Sequence, residues 1–393
     1  MVARRGISKL RAWAEANIVI ADGPRAGKRW RPGNPAWADV LDAMDDPALE
    51  QVTVRGSIQS GKTASLLVAA LGHYAAGRSV LFYEPDEALK RAMSTRLRAW
   101  ARVCRDGEVA ASWERPRPPH SRTNERGGRL EVLSAGQRTT TLMRTAEVVI
   151  LDELRAFGRD IVLELVDRMA AFGGRGRLIT ASSTGEEDSC RTTTELEKSD
   201  ARHWFVPCPA CGQRAPIVWA NVVLPKTATA RPSYLFPCCR AEVGTVALKR
   251  AIGAGAWRPT RKAAVTATRG YHADAFLSPF ETLATVARAW QRASHHRKQT
   301  SSMAEIRAFQ QGRLALPFKP EPAGGVTPEQ IDVACRESYE GVPDGACVLI
   351  GAVDVQDNRL EAEVSAWGHQ EVERSEDEVT GIRGWDSPGY HGL

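Results

Sequence analysis

The amino-acid sequence predicts an α/β fold in which helices cover both faces of a parallel β-sheet. Short apolar runs rich in β-branched residues alternate with longer segments rich in Ala and Leu, which is typical of strands alternating with helices. A glycine-containing loop joins the first such strand to the first long helix. Hydrophobic residues make up 43% and charged residues 25% of the 393 residues, the composition of a folded globular protein with a large core.

The elements of the predicted sheet follow one another from residue 51. Helices are predicted over 62–76 and 87–104, because Ala, Leu and other good helix formers dominate there. A Pro- and Arg-rich stretch at 113–128 is predicted to be a loop. The strands are predicted over 51–56, 79–84, 129–134, 147–151 and 177–182.

The pattern changes after residue 200. A segment with several Cys and Pro residues, at about 204–240, precedes an Ala-rich helix near 282–295 and a Pro-rich linker at 317–328. A second domain then begins with strands predicted over 347–354 and 359–367. The final stretch, SEDEVTGIRGWDSPGYHGL, has little apolar periodicity, and no strand is predicted in it.

Charge and apolar content limit the class of protein. The net charge is +6, and because 354–393 contains 10 acids and only 3 bases, the preceding chain carries a net charge of +13. This indicates a polyanionic partner such as nucleic acid, although Arg-rich faces are often simply solvated. Because no window approaches eighteen apolar residues and the N-terminus lacks the apolar core of a signal peptide, we expect a cytoplasmic protein without a membrane anchor.

The strongest motif is the segment GSIQSGKT at 56–63, which fits the pattern G-x4-G-K-[ST] between a predicted strand and a predicted helix. In such a P-loop, backbone N–H groups and the helix N-terminus bind the phosphates of a nucleotide. Lys62 would contact the β- and γ-phosphate oxygens, and the Thr63 hydroxyl would ligate Mg²⁺. The residues expected to bind ATP are Gly56, Ser57, Gln59, Ser60, Gly61, Lys62 and Thr63.

Two further strands end in polar residues. The run VVILDE places Asp152 and Glu153 at the end of a hydrophobic strand, as in a Walker B motif. Asp152 would hold the hydrated Mg²⁺, and Glu153 would act as the general base on the attacking water. An acidic pair in this position is otherwise a solvated strand end. The strand over 177–182 continues into Ser183 and Thr184, which either sense the γ-phosphate or form a plain exit from the strand.

The Cys-bearing segment contains the knuckle Cys208-Pro209-Ala210-Cys211-Gly212, followed by Cys238 and Cys239. A C-x2-C knuckle presents two thiolates to zinc. Adjacent cysteines rarely point at one tetrahedral ion without a distorted turn, so the sequence leaves open a zinc site and a metal-free loop.

These residues resemble the large terminase subunit of lambda-like tailed phages, the gene-A-product family. The resemblance covers most of the chain. It rests on QSGKT, ILDE, the SST segment at 182–184, KSDARHWFVPCPACG, GYHADAFLSPF at 270–280 and GAVDVQDNRLEAEVSAWG at 351–368.

The resemblance implies an N-terminal RecA-like ATPase that translocates double-stranded DNA into a procapsid. It also implies a C-terminal RNase H-like endonuclease, with Asp354 as the first acid of its metal site and Asp357 and Glu361 nearby. The implied partners are DNA, a small terminase subunit, the portal of the procapsid and further copies of the chain in a ring. The implied location is the cytoplasm of the bacterial host.

The sequence departs from the family pattern in three places. Ile58 stands where many terminases carry an arginine, so Arg55 and Arg144 become candidates for compensating charge in the transition state. The second cysteine pair lacks a spacer. The chain ends at Leu393, where the family's nuclease continues, so we expect an incomplete and inactive nuclease.

The expected domains are an ATPase over 1–205, a cysteine-rich insert and connector over 206–265, and the beginning of a nuclease over 266–393. The leading interpretation is an ATP-driven DNA-packaging motor. The alternatives are a helicase-like ATPase that remodels nucleic acid, and an inactive prophage-remnant subunit that binds DNA during assembly.

Overall fold

The structure is a computed structural model of the chain, which divides into two compact units, Met1–Pro320 and Glu321–Leu393. The residues that the structure describes are 9–33, 35–114, 121–136, 144–187, 190–225, 230–319, 341–342, 346–355, 360–370, 381–386 and 390–391. Within these ranges, no helix combines the length and the apolar content that crossing a bilayer requires.

A ten-stranded sheet forms the centre of the first unit, in the order β12-β7-β13-β1-β6-β5-β2-β4-β3, with β8 paired to β7. The strands from β7 to β4 in this order run parallel, whereas β3, β8 and β12 are antiparallel to their neighbours. The strands are β1 (Gln51–Gly56), β2 (Ser79–Glu84), β3 (Ser121–Thr123), β4 (Arg129–Ser134), β5 (Val148–Asp152), β6 (Arg177–Ser182), β7 (Arg202–Pro207), β8 (Arg214–Pro216), β12 (Ala256–Arg258) and β13 (Thr268–Ala273).

Helices cover both faces of this sheet, so the central strands are buried on both sides. The α-helices of the described residues are α1 (Lys9–Asn17), α2 (Pro35–Met44), α3 (Lys62–Ala75), α4 (Glu87–Arg102), α5 (Gly107–Glu114), α6 (Arg159–Asp167), α7 (Arg191–Lys198), α8 (Thr245–Gly253), α9 (Leu283–Thr300) and α10 (Ala304–Gly312). The apolar core on one face contains α3, whose residues from Leu66 to Leu71 are fully buried. A smaller core on the other face includes Leu81, Leu151 and Leu165.

Local sequence signals explain where several helices begin. The Asp86 side chain accepts a hydrogen bond from the backbone N–H of Leu89 (2.8 Å) at the start of α4. Thr282 and Thr285 form a capping box at the start of α9. These bonds satisfy N–H groups that the first helical turn leaves without partners.

A smaller sheet and a separate unit complete the described fold. Strands β9 (Val222–Val223), β10 (Ser233–Leu235) and β11 (Glu242–Val243) form a three-stranded antiparallel sheet beside the cysteine segment. The second unit contains a four-stranded antiparallel sheet made of β14 (Ala346–Val355), β15 (Leu360–Gln370), β16 (Gly381–Asp386) and β17 (Tyr390–His391).

The sequence prediction of an α/β fold with a parallel sheet is confirmed, and the five predicted strands of that sheet are present within one residue of their expected bounds. Two local predictions are wrong. The expected loop at 113–128 includes β3, and the final stretch includes β16 and β17. These short strands pair with partners elsewhere in the chain, a stabilisation that local periodicity does not reveal.

One strand of the large sheet comes from the stretch over 266–393 that is expected to begin the nuclease region. This strand, β13, pairs in parallel with β1 at the centre of the sheet, with Gly56 opposite Ala273. The first compact unit therefore extends to Pro320. A strand order of this kind is set by long-range pairing, which composition along the chain does not encode.

Candidate functional site

The P-loop joins β1 to α3 at the carboxyl edge of the sheet. The Ser60 hydroxyl and the Lys62 ammonium both donate hydrogen bonds to the Ser57 carbonyl, each at 2.8 Å. Gln59 and Gly61 have φ values of 56° and 107°, in the left-handed region that reverses the chain before α3 begins. The loop therefore directs the N-terminus of α3 toward the edge of the sheet where nucleotide phosphates bind in such folds.

Gly56 gives the Lys62 side chain room to cross the loop. A Cβ at Gly56 would lie only 2.7 Å from Cδ of Lys62 and 3.1 Å from the Ser60 hydroxyl. Such a contact would displace the lysine from its position over the loop.

We expect Gly56→Ala to weaken ATP binding. Overpacking costs about 1–3 kcal/mol. If this strain destabilises the loop conformation that binds phosphate, the affinity for ATP falls by about 5- to 150-fold. Titration with a fluorescent ATP analogue measures the change. Gly107→Ala is the matched control, because a Cβ at Gly107 meets no atom within 4 Å. Equal affinities for Gly56→Ala and the wild type would contradict the prediction.

The P-loop lies close to the acidic pair, Asp152 and Glu153, at the carboxyl edge of the sheet. Asp152 is buried at the end of β5, and the Thr63 hydroxyl donates a hydrogen bond to its carboxylate. Burial and the neighbouring Glu153 raise the pKa of Asp152 to about 6, against the opposing effects of Thr63 and Lys62. Burial lowers the pKa of Lys62, opposed by the charges of Glu153 and Asp152. The structure thus brings together two adjacent pairs, Lys62–Thr63 and Asp152–Glu153, that lie about ninety positions apart in sequence.

Glu153 is held at the mouth of this site by a short network. Its backbone adopts the left-handed conformation, with φ at 52°. The Ser182 hydroxyl donates to Oε2 of Glu153 at 3.4 Å, and Nε of Arg155 lies 3.4 Å from the same oxygen. The backbone N–H of Arg155 in turn donates to the Ser182 hydroxyl at 3.2 Å. Ser182 therefore links the end of β6 to the acidic pair.

The other hydroxyls of the SST segment serve different contacts. Ser183 and Thr184 are both buried, and the Thr184 hydroxyl donates to the Leu316 carbonyl at 2.9 Å. Of the three hydroxyls, the one seen to contact the acidic pair is that of Ser182.

The two arginines proposed to replace the missing P-loop arginine, Arg55 and Arg144, make other contacts in this structure. Nε of Arg55 donates to Nδ1 of His272 at 3.2 Å, and burial lowers the pKa of Arg55 to about 10. Arg144 pairs with Glu131 at 3.1 Å. Arg155, which was not among the residues selected from the sequence, lies close enough to Lys62 that its charge contributes to lowering the pKa of Lys62. The sequence signal for Arg155 was its position two residues after Glu153.

A third carboxyl group, also missed, lies at the same edge. Tyr83 pairs with Leu151, so Glu84 and Asp152 are the next residues along two neighbouring parallel strands. Glu84 is 2% exposed, and burial together with the charges of Asp152 and Glu153 raises its pKa to about 9. The acid that ends the run SVLFYE was the sequence signal.

We expect Glu84→Gln to stabilise the nucleotide-free protein in a pH-dependent way. The pKa of Glu84 is about 9 when folded and about 4.5 when unfolded, so between these values the folded state binds more protons and loses stability as the pH rises. Gln removes this penalty, which gives a gain of about 3 kcal/mol near pH 7 and none below pH 4.5. Urea unfolding at several pH values measures it. Glu50→Gln, at an exposed acid, is the control, and a gain that does not vary with pH would contradict the prediction.

A cavity of about 430 Å³ extends from the P-loop. Its lining includes Gly61 and Thr63 together with Trp30, Trp37, Arg96 and Phe280. The walls carry aromatic side chains and Arg96, which pairs with Asp22 of the same lining, and the cavity lies directly beside the phosphate-binding loop. This arrangement offers stacking surfaces for a nucleotide base.

The four cysteines form a second site. Their sulfur atoms all lie within 4.8 Å of one another, and Sγ of Cys208 is 3.6 Å from Sγ of Cys239. Four sulfurs around a tetrahedral zinc at 2.3 Å would be about 3.8 Å apart, so the donor set fits. Although desolvation opposes it, backbone N–H groups of Cys211 and Ala210 and the neighbouring thiols lower the pKa of Cys208 to about 7.

Adjacency of the second cysteine pair does not prevent the four side chains from meeting. The chain turns tightly there, with Arg240 at a φ of 58° and its N–H donating to the Phe236 carbonyl at 2.9 Å. Cys238 and Cys239 can then approach Cys211 and Cys208 respectively. The sequence did not show whether the chain makes this turn, and so left open whether the adjacent cysteines could approach the knuckle.

The predicted nuclease acids lie in the second unit. Asp354 is in β14, and the antiparallel register places it opposite Glu361 of β15. Asp357 lies outside the described residues. The backbone thus brings two of the three acids to adjacent positions.

Residues 25–257 match the family described as "Phage terminase large subunit gpA, ATPase domain", and residues 268–376 match "Terminase large subunit gpA, endonuclease domain". No curated protein sequence matches the chain.

Among solved structures, the large terminase of bacteriophage HK97 is 13% identical, with a TM-score of 0.49, and the match covers 96% of this chain and 67% of that one. Two structures of the ATPase domain of the Thermus phage P74-26 large terminase are each 11% identical, with TM-scores of 0.39 and 0.38. Each match covers 71% of this chain and 93% of the other.

Proposed function

The chain belongs to the gpA family of phage terminase large subunits, and on this basis we propose that it hydrolyses ATP to drive double-stranded DNA into phage procapsids. One observation carries the proposal. Lys62, Thr63, Asp152 and Glu153 come from separate parts of the chain and meet at the carboxyl edge of one parallel sheet.

Each of these residues has a role that follows from its position. Backbone N–H groups of the P-loop and the N-terminus of α3 would hold the phosphates, with Lys62 on the β- and γ-oxygens. Thr63 and Asp152, already hydrogen-bonded to each other, would hold Mg²⁺, which neutralises charge that develops on the phosphates. Glu153 would accept a proton from the attacking water, and Ser182 and Arg155 would position its carboxylate.

We infer that the cavity beside the P-loop binds the adenine and ribose. Trp30, Trp37 and Phe280 supply apolar surface, and Arg96 supplies a donor. Much of this wall comes from the N-terminal segment before β1, which lies outside the predicted sheet.

The cysteine cluster is proposed to hold a structural zinc ion. The four thiolates of Cys208, Cys211, Cys238 and Cys239 would close its coordination, so the ion would stabilise the insert and take no part in hydrolysis. The neighbouring three-stranded sheet is short, and a metal would supply stability that so few paired residues cannot.

We further propose that the motor extends through the first unit, to about residue 320, and that the nuclease region lies in the second unit. The pairing of β13 with β1 supports this boundary, although the endonuclease family match begins at residue 268. Asp354 would be a metal ligand of the nuclease. Incubation of plasmid DNA with Mg²⁺ or Mn²⁺ tests whether the chain cleaves DNA.

The proposed partners are duplex DNA, a small terminase subunit, the portal of the procapsid and further copies of the chain, working in the host cytoplasm.

Steady-state release of phosphate from ATP, with and without duplex DNA, tests the motor. Mg²⁺-dependent hydrolysis that a portal stimulates further would support packaging. Strand separation of a forked duplex would instead support a helicase-like ATPase.

A further inference from the structure

An open groove of about 920 Å³ runs along α9 in the first unit. One side is a stripe of the helix, because Thr285, Arg288, Arg292 and His295 recur at intervals of three or four and so share a face. Glu305 and Arg313, with Phe280 and Glu281, contribute further lining. The groove is separate from the cavity that holds the P-loop, although Phe280 lines both.

The groove presents positive charge to solvent. The sequence of α9 contains four Arg and Lys residues and no acid. Arg288 and Arg292 are exposed, and within the described part of the chain neither has an ion-pair partner. Of the two carboxylates of the lining, Glu281 pairs with Arg313, and Glu305 lies 3.9 Å from Nδ1 of His296. Uncompensated guanidinium groups in an open groove are suited to phosphate.

The groove is also connected to the P-loop through short hydrogen bonds. The Ser278 hydroxyl donates to the Gln59 carbonyl at 2.9 Å, two residues before Phe280. The Ile58 N–H donates to the carbonyl of Gly312 at 2.7 Å, and Arg313 follows Gly312 at the end of α10. A displacement of the groove wall would therefore act on the loop that holds the phosphates of ATP.

We propose that the α9 groove binds the phosphate backbone of double-stranded DNA and that this contact is transmitted to the P-loop through Ser278 and Gly312. The inference rests on the proposed ATPase function. The 18 residues of α9 span about 27 Å, close to the rise of eight base pairs, so the helix can follow several phosphates. A small anion would occupy a single arginine and leave the rest of the stripe unused.

DNA binding tests the first half of the proposal. The anisotropy of a fluorescein-labelled 30-base-pair duplex is measured with the full chain and with Arg288→Ala/Arg292→Ala, between 50 and 200 mM KCl and without nucleotide. Loss of two phosphate contacts lowers the slope of log K against log salt by about 1.8. The difference in affinity between the two proteins should then shrink on the order of ten-fold across this range.

The control removes the same charge elsewhere. Arg91→Ala/Arg98→Ala alters two exposed arginines of α4 and should leave most of the affinity and the salt slope of the wild type. An equal loss of affinity in both variants would mean that the overall positive charge attracts DNA, and it would overturn the proposal that the α9 groove binds the duplex. An unchanged slope in the α9 variant would also overturn it. If the groove binds an acidic peptide and not the duplex, the salt slope of the α9 variant will likewise be unchanged.

ATP hydrolysis tests the connection to the P-loop. Ser278→Ala removes the hydrogen bond to Gln59, so we expect unchanged DNA affinity but a smaller ratio of DNA-stimulated to basal rate. A wild-type ratio in this variant would overturn the transmission. If the wild type hydrolyses no ATP under any condition, the proposed motor function fails, whereas the anisotropy measurements still decide whether the groove binds DNA.

Discussion

Replacement of Glu153 by Gln is expected to reduce steady-state ATP hydrolysis by about 10²- to 10⁴-fold, the usual contribution of a general base, while ATP still binds. The amide is nearly isosteric with the carboxylate and can still accept a hydrogen bond from Ser182, but it cannot take a proton from water. Phosphate release measures the rate, and titration with a fluorescent ATP analogue measures binding.

The matched control is Glu125→Gln, at an exposed acid on the turn before β4. It should hydrolyse ATP at the wild-type rate. If Glu153→Gln retained more than about a tenth of the activity, another group would be the base. Glu84 lies at the same strand edge but would not be that base at neutral pH, because its raised pKa of about 9 keeps its carboxyl group protonated.

Replacement of Cys208 by Ser is expected to release zinc and to destabilise the cysteine insert. Structural zinc contributes apparent binding free energies of about 10–16 kcal/mol in small domains, and a fraction of this would exceed the usual effect of about 1 kcal/mol for a point mutation. Cys208 is the buried member of the cluster and begins the knuckle, so serine removes one of four thiolates. Elemental analysis should find one zinc per wild-type chain, and proteolysis near residue 211 should accelerate in the variant.

Cys347→Ser serves as the control, because Cys347 lies in the second unit and outside the cluster. It should retain zinc and the wild-type digestion pattern. A wild-type protein purified without zinc, whose thermal unfolding a strong chelator leaves unchanged, would contradict the zinc assignment. The insert would then be a metal-free loop held by its short sheet.

Much of the sheet and of the phosphate site was predictable because the signals are local. The β-branched run of β1, the glycine loop and the Ala/Leu-rich α3 each depend on residues within about ten positions of one another. The strand VVILD and its acidic end are likewise continuous in sequence. Once a parallel sheet is inferred, these strand ends must meet at one edge, so the proximity of Lys62 to Asp152 follows.

The surroundings of that site depended on contacts between distant segments. The N-terminal helices carry no motif, yet Trp30 and Trp37 come to lie beside the P-loop. Glu84 becomes a buried acid with a raised pKa because β2 pairs with β5, and Arg155 reaches Glu153 because the backbone turns sharply after β5. Neither environment is a property of the residue itself.

The sequence by itself therefore determined the fold class, the P-loop, the acidic pair and the cysteine pairs, since each is written in a short continuous segment. Only the tertiary structure decided that β13 joins the central sheet, that the adjacent cysteines converge on one point, and that Ser278 and Gly312, next to the α9 groove, are hydrogen-bonded to the P-loop. The physical reason is that strand order, burial and electrostatic environment arise from pairing and packing between residues that can be more than two hundred positions apart, and the free energies of those contacts are absent from any local pattern.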